Sequence, residues 1–316
     1  MKRPIVYILL VVFIVGVVST GFLINALYKQ TLTNIAAVEE NKDEAAEENN
    51  DVETIAEKQS HDPFILLLFG ISNREALNDS GRADTIMLAL IDPVPGRAKL
   101  ISIPRDAYVD IPGYKKDKIN AAYPRGGADL LKNTIEQWLD IDIHAYASIN
   151  FEGFIDLVDL IGGIEVYVPR NMKYDDYADG TSIDLKKGEQ LLDGKNALDF
   201  VRFRRSNDGR HSSDYERMER QQQALTVLSN KLASIRMITR VNNIMGILSA
   251  NVKTSLTVDE LDSLLKRFYS IDMQGLETTS LQGGGHLING AWYEIVSDTE
   301  IERVQEIIKS YLEKTD

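Results

Sequence analysis

A single mixed α/β domain, αβα layered and held outside the cell by an N-terminal membrane anchor, is the architecture this sequence predicts. Three observations support it. From Pro63 onward, short apolar runs bounded by turn residues alternate with stretches of helical periodicity, and such alternation builds one layered α/β unit. Ahead of that region, Ile5 to Leu27 is apolar or neutral throughout, interrupted only by Ser19, Thr20 and Asn25. The 316 residues are 44% hydrophobic, enough for a sizeable core, and contain no cysteine. An exported domain of this composition is stabilised by burial and not by disulfides, and thiol catalysis and cysteine metal sites are excluded.

The elements follow in chain order. As a helix the run Ile5 to Leu27 is roughly 35 Å long, sufficient to cross a bilayer with some tilt. Lys2 and Arg3 precede it and an acidic stretch follows, so the positive-inside rule places the N-terminus in the cytoplasm and everything after Lys29 outside. A cleavable signal peptide has an apolar region of only about 7–15 residues, so residues 1–28 read as an uncleaved cytoplasmic tip and transmembrane anchor. Residues 29–62, rich in Glu, Asp and Asn, have the composition of a solvated spacer. If flexible, such a spacer spans on the order of 30 Å; a polar helix is the alternative. Residues 63–316 are then the extracytoplasmic domain.

Within it, Phe64 to Gly70, Thr85 to Asp92 and Arg97 to Pro104 read as buried strands, with a hairpin connection from Asp92 to Gly96. Gly126 to Leu139 has helical spacing at Leu130, Leu131, Ile135 and Leu139. His144 to Phe151 reads as a strand, the segment from Phe151 as a helix closed by Gly162 and Gly163, and Ile164 to Pro169 as a strand stopped by proline. Further helices are expected at Asn196 to Arg202, Asp214 to Ile235, Val241 to Leu248, Val258 to Tyr269 and Asp298 to Leu312. No internal repeat is present. Gly283 to Gly285 lack the Lys and Ser/Thr of a phosphate loop and read as a turn.

The stretch VRFRRSNDGRHSSDYERMERQQ, Val201 to Gln222, packs six arginines into a chain of formal net charge -13. Arginine runs commonly face water, but the helix that follows argues for more. Ser213 and Glu216 form a capping box, which starts the helix at Asp214 and brings its positive dipole end near the arginines. Tyr215, Met218, Leu225, Leu228 and Leu232 define its apolar stripe; at 100° per residue Gln221 falls inside the stripe, Arg217 on its edge, and Arg220 well away from it. An amide in the stripe needs a partner, and a ligand is one. Guanidinium forks beside a helix N-terminus suit a phosphate or pyrophosphate. The outside location, the acidic balance and the absence of a recognisable binding motif argue against nucleic acid.

A second constellation lies in ISIPRDAYVDIPGYKKDKINAAYPRGG, where Arg105 and Asp106 directly follow a buried strand, and in GRADTIMLALID, which places Asp84 at the start of the neighbouring strand. Strand ends that open into loops are common ligand sites in α/β sheets; as a lone residue, Asp84 reads equally as a turn cap. Together with FEGFIDLVDLIGGIEV, LDGKNALDFVRFR and DYERMERQQ, these segments resemble the LytR-CpsA-Psr family of extracytoplasmic transferases, from about Pro63 to Lys231 and more weakly beyond. The N-terminal anchor suits the family's single-span topology.

The resemblance implies transfer of a glycopolymer, wall teichoic acid or capsular polysaccharide, from an undecaprenyl-pyrophosphate carrier to a peptidoglycan hydroxyl. It implies that Arg105, Arg202, Arg204, Arg217 and Gln221 hold the pyrophosphate with Lys118 nearby, that Asp84 helps bind Mg²⁺, and that an apolar pocket takes the polyprenyl chain. Asp106 and Asp84 are the candidate general bases, although a carboxylate engaged with an arginine or a metal is a poor base; the alternative for Asp106 is to orient Arg105. One departure concerns the metal: where the family often has an aspartate after the first strand, this chain reads FGISNR with Ser72. Magnesium would then rest on Asp84, phosphates and water, or on Asp79. A polyprenyl-pyrophosphate hydrolase and a noncatalytic glycolipid-binding protein are the rival classes. His61, His144, His211 and His286 lack metal-ligand spacing, and His211 beside Ser212 to Asp214 cannot assemble a triad from adjacent residues.

Overall fold

The computed structural model describes residues 62–74, 79–92, 97–176, 181–210, 212–232, 241–257, 260 and 277–313. The predicted anchor, residues 29–61 of the spacer, His61, His211 and nearly all of the helix expected at Val258 to Tyr269 lie outside these residues. Among the described residues no helix is long and apolar enough to cross a membrane.

The centre is a six-stranded sheet built on β1 (Phe64–Arg74), β2 (Asp79–Asp92) and β3 (Arg97–Ile103), which form an antiparallel meander. β6 (Ala145–Asn150) runs parallel to β1 and carries β11 (Val252–Thr254) on its outer edge, while β12 (Glu277–Ser280) runs parallel to β3 on the other side. Alternation along β1 explains the layering. Ile65, Leu67 and Phe69 are buried on one face, against α1 (Ala122–Leu139) and α6 (Asp298–Leu312). Leu66 and Leu68 are buried on the other, which is covered by α2 (Phe151–Leu160), α3 (Gly194–Arg202), α4 (Asp214–Leu232) and α5 (Val241–Asn251). A strand with both faces buried reads as a continuous apolar run, which is why FILLLFG carries no polar alternation.

Helix starts follow their caps. Asn150 accepts from Gly153 N at 2.8 Å at the head of α2, and Asp193 from Asn196 N at 2.8 Å at the head of α3. At α4 the capping box is formed: Glu216 Oε2 accepts from Ser213 N at 2.8 Å and Ser213 Oγ from Glu216 N at 3.1 Å. α2 ends with Gly162 and Gly163, both at positive φ, and leads into β7 (Ile164–Val168), which pairs with β10 (Gly188–Leu192). α1 begins four residues before the predicted Gly126 but departs from helical geometry at Gly126 and Gly127, so its regular part starts where the sequence placed it.

Three expectations change. β1 and β2 extend beyond their apolar cores as a polar ribbon, so Asp84 lies inside β2, whose first residue is Asp79, and not at the strand's start. Gly284 and Gly285 belong to β13 (Gly284–Ile288), which pairs with β14 (Ala291–Ile295); the turn is instead at Asn289 and Gly290, both at positive φ. Asn-Gly is the sequence signature of a tight hairpin, and that signal was available in LINGAW. Arg220, placed on the solvent side by helical periodicity, is only 4% exposed. The end of α3 and Phe203 meet Arg220 on that side of α4, so the helix is covered on more than its apolar stripe.

Candidate active site

The site lies where β1, β3 and β6 end and β2 begins. Gly70 pairs with Thr85 and Ile71 with Ala83, which leaves Asp84 as the extra residue of a β-bulge. A bulge re-aims the side chain it frees, and Asp84 faces a cavity of about 340 Å³. Gly81 supports the ribbon next to it: its φ is +81°, and a Cβ there would come within 2.9 Å of the Ser72 carbonyl oxygen, so only glycine permits the approach.

Arg105, just beyond Pro104 at the end of β3, donates from its guanidinium to Asp84 Oδ1. Burial by itself would raise the Asp84 pKa, but the charge of Arg105, a hydrogen bond from Ser72 and the charge of Arg217 outweigh it, and the carboxyl is held below its ordinary range. α4 presents Arg217, 3% exposed, in an ion pair of 2.6 Å with Asp214. Arg217 Nε and NH1, and Arg105 Nε, are buried without hydrogen-bond partners among the described residues. Burial and the like charge of Arg105 push Arg217 down to about 10, so it remains a cation at neutral pH. One turn on, Gln221 is 8% exposed and lines the same cavity. From the end of α3, Arg202 lies 4.6 Å over the Phe151 ring, and Arg204 and Arg205 complete the rim.

The structure therefore brings Asp84, Arg105, Arg202, Arg204, Arg217 and Gln221 to one cavity. Five arginines line it against the carboxylates of Asp84 and Asp176, a local excess of positive charge in an acidic chain. Asp106 and Lys118 stand behind this wall. Asp106 Oδ1 accepts from Lys118 Nζ at 2.7 Å and Oδ2 from Arg204 at 3.2 Å. Asp106 is thus not the hydrogen-bonding partner of Arg105, and with both oxygens taken by cations it is not placed to receive a proton. Burial opposes its ionisation, but Lys118 and the neighbouring arginines hold its pKa down. It positions Lys118 and Arg204.

A second, narrow cavity of about 90 Å³ adjoins the first, lined by Leu68, Phe69, Met87, Phe154, Leu157, Leu225 and Leu228. Thr85, Phe151, Leu198, Val201 and Gln221 line both cavities. The sequence reading missed the wall supplied by β8 (Met172–Asp176) and β9 (Thr181–Leu185), which places Tyr174, Asp176, Thr181 and Ile183 opposite the arginines. Nothing in that stretch marks it as a site. Arg205 was visible in the arginine run but not singled out.

Among the described residues no cluster of three or more His, Asp or Glu side chains is arranged to hold a metal ion. Magnesium, however, commonly takes only one or two carboxylates and completes its shell with substrate phosphates and water. Asp84, lining the cavity together with five arginines, fits that limited role. Asp79 lies in β2, opposite Arg74.

Comparison with known proteins agrees with this geometry. The LytR_cpsA_psr family profile matches residues 27–310. The polyisoprenyl-teichoic acid–peptidoglycan teichoic acid transferase TagU of Oceanobacillus iheyensis is 38% identical over 259 residues, 80% of this chain and 77% of that protein. The crystal structure of Bacillus subtilis TagV superposes with a TM-score of 0.65 at 32% identity, covering 81% of this chain and 99% of that one. TagT with bound octaprenyl pyrophosphate lipid superposes with a TM-score of 0.58 at 28% identity, covering 79% and 90%. With the match spanning nearly the whole chain and the arginine-lined cavity in place, this protein is a member of the LytR-CpsA-Psr family.

Proposed function

We propose that this protein transfers a glycopolymer, wall teichoic acid or a capsular polysaccharide, from an undecaprenyl-pyrophosphate carrier to a peptidoglycan hydroxyl, leaving a phosphodiester. The observation that carries the reading is the junction of the two cavities. Arg105 and Arg217, which carry buried N–H groups without hydrogen-bond partners among the described residues, line a polar chamber, and an apolar chamber opens beside it. Unpaired buried donors are costly unless a ligand supplies acceptors, and a pyrophosphate attached to a polyprenyl chain fills both chambers at once. The transferase activity for which TagU is named and the lipid bound to TagT agree with this assignment.

In the proposed reaction the acceptor hydroxyl attacks the sugar-side phosphorus, and the bond from that phosphorus to the bridging oxygen breaks. Polyprenyl phosphate leaves with the electron pair. Phosphoryl transfer of this kind demands charge neutralisation and positioning more than covalent help. Arg105 and Arg217 neutralise the charge from the floor, Arg202 and Arg204 from the rim, and Gln221 fixes the boundary between pyrophosphate and lipid. Asp84 is a poor base because Arg105 holds it ionised, and Asp106 is occupied; a loose transition state lets the hydroxyl proton leave late, to the departing phosphate. Magnesium held by Asp84 and the substrate phosphates would add Lewis-acid charge stabilisation. An uncleaved anchor at residues 1–28 would keep the domain at the outer face of the membrane, where the carrier lipid resides.

The test is to incubate the full chain in detergent with a short polyprenyl-pyrophosphate glycan, peptidoglycan oligomers and magnesium, and to identify products by mass spectrometry. A phosphodiester-linked adduct is expected, with turnover lost on chelation and magnesium dependence lost in Asp84→Asn. Free glycan phosphate formed equally without acceptor would establish a hydrolase, and bound but unchanged donor a binding protein.

A further inference from the structure

Next to the cavity the surface carries an aromatic array that the pyrophosphate and lipid do not use. β4 (Tyr108–Val109) and β5 (Asp117–Lys118) form a small hairpin. The β13–β14 hairpin docks onto it: Glu294 N donates to Asp106 O at 2.9 Å, and Tyr108 and Tyr293 rings meet at 4.6 Å. Tyr215 on α4 holds the same hairpin by donating to Glu294 at 2.8 Å. Lys118 lies 5.5 Å over the Tyr293 ring and Lys116 5.2 Å over Tyr108. Asp117 pairs with Arg125, which lies 5.4 Å over Tyr114, itself 52% exposed. The array reaches the cavity through Lys118, because the ammonium over Tyr293 also binds the Asp106 that holds Arg204.

We propose that Tyr108, Tyr293 and Tyr114 form the platform on which the acceptor glycan strand lies as its hydroxyl enters the cavity. The inference rests on the transferase reading and specifies the acceptor side of the same site. Its chemistry selects a carbohydrate. Tyrosine faces carry negative quadrupole charge that attracts the C–H faces of sugar rings, while the charged groups beside each ring, Lys116, Lys118, Asp117 and Arg125, offer partners to hydroxyl and amide groups. A purely apolar partner would leave those charges desolvated at a cost. The continuity from Tyr293 through Lys118 to Arg204 places the strand beside the reacting phosphorus.

The experiment titrates the full chain in detergent with peptidoglycan glycan strands stripped of their stem peptides and, separately, with a short polyprenyl-pyrophosphate glycan. Tyr114→Ala, at an exposed position, and Tyr293→Leu are each expected to weaken strand binding about fivefold, the scale of one aromatic contact. Tyr114→Phe and Tyr293→Phe are expected to retain it, and donor affinity is expected to stay unchanged in all four. Strand affinity indifferent to the ring, Phe variants as weak as Tyr114→Ala, or wild-type binding that requires the stem peptides would each overturn the platform. Donor titration separates the two readings. A wild-type chain that binds strands through these tyrosines but ignores the donor supports the platform and overturns the transferase.

Discussion

Arg217 and Arg220 stand three residues apart on α4, both nearly inaccessible and both pushed down to about 10, in each case first by burial. Their surroundings differ. Arg220 is satisfied by the protein: Nε donates to Phe200 O at 3.0 Å, the guanidinium reaches Phe203 O and Ser212 Oγ, and the Phe203 ring packs against it. Among the described residues Arg217 has one ion pair, and its Nε and NH1 have no acceptor. Burial and charge alone do not separate a structural arginine from a ligand-binding one. The inventory of donors left unpaired does.

Replacing each arginine by methionine, which keeps much of the side-chain volume, breaks the comparison most directly. Arg217→Met is expected to lower kcat/KM for transfer by about 10²–10³, the effect of removing one charge-stabilising donor in a water-poor site, while the denaturant midpoint moves little. A midpoint shift as large as that of Arg220→Met, with activity preserved, would make Arg217 structural. Arg220→Met is expected to destabilise the fold by about 2–4 kcal/mol, because it strands the buried carbonyls of Phe200 and Phe203. Urea unfolding followed by circular dichroism measures that loss. Donor affinity, measured below the unfolding transition, should stay near the wild-type value; its collapse would place Arg220 in the site after all.

The same pair marks what the sequence reveals. Local signals reported correctly: the apolar runs of β1 to β3, the Ser213 and Glu216 cap, the glycines after α2, and Gln221 inside the stripe of α4. Arg220 could not be read that way, because the groups that enclose it, Phe200, Phe203 and Ser212, are not on the helical wheel. Asp84 was singled out, but the bulge that turns it toward the cavity depends on its register with Ile71 in another strand. The β8–β9 wall was hidden for a similar reason: Tyr174 and Asp176 acquire their meaning only when their hairpin packs opposite the arginines. The Asn289–Gly290 turn was legible and overlooked.

The smallest expected effect concerns the cap from which both arginines are reached. Ser212 and Ser213 are adjacent, yet Ser212 Oγ accepts from Arg220 at 3.3 Å and from Arg170 at 2.9 Å, whereas Ser213 Oγ accepts from Glu216 N. Ser212 therefore belongs to the structural side of α4 and Ser213 to its N-terminus. Ser213→Ala removes one cap and is expected to cost about 1 kcal/mol in stability. The first turn carries Arg217, but Arg217 is also fixed by Asp214 and by its own burial, so transfer should fall by less than about threefold, in proportion to a slightly frayed helix end. Urea midpoints and steady-state rates on the same preparation give both numbers. A loss of activity as large as that of Arg217→Met, at unchanged stability, would mean that the helix N-terminus itself contacts the pyrophosphate, and would move the anion site from the guanidinium pair toward the backbone N–H groups of α4.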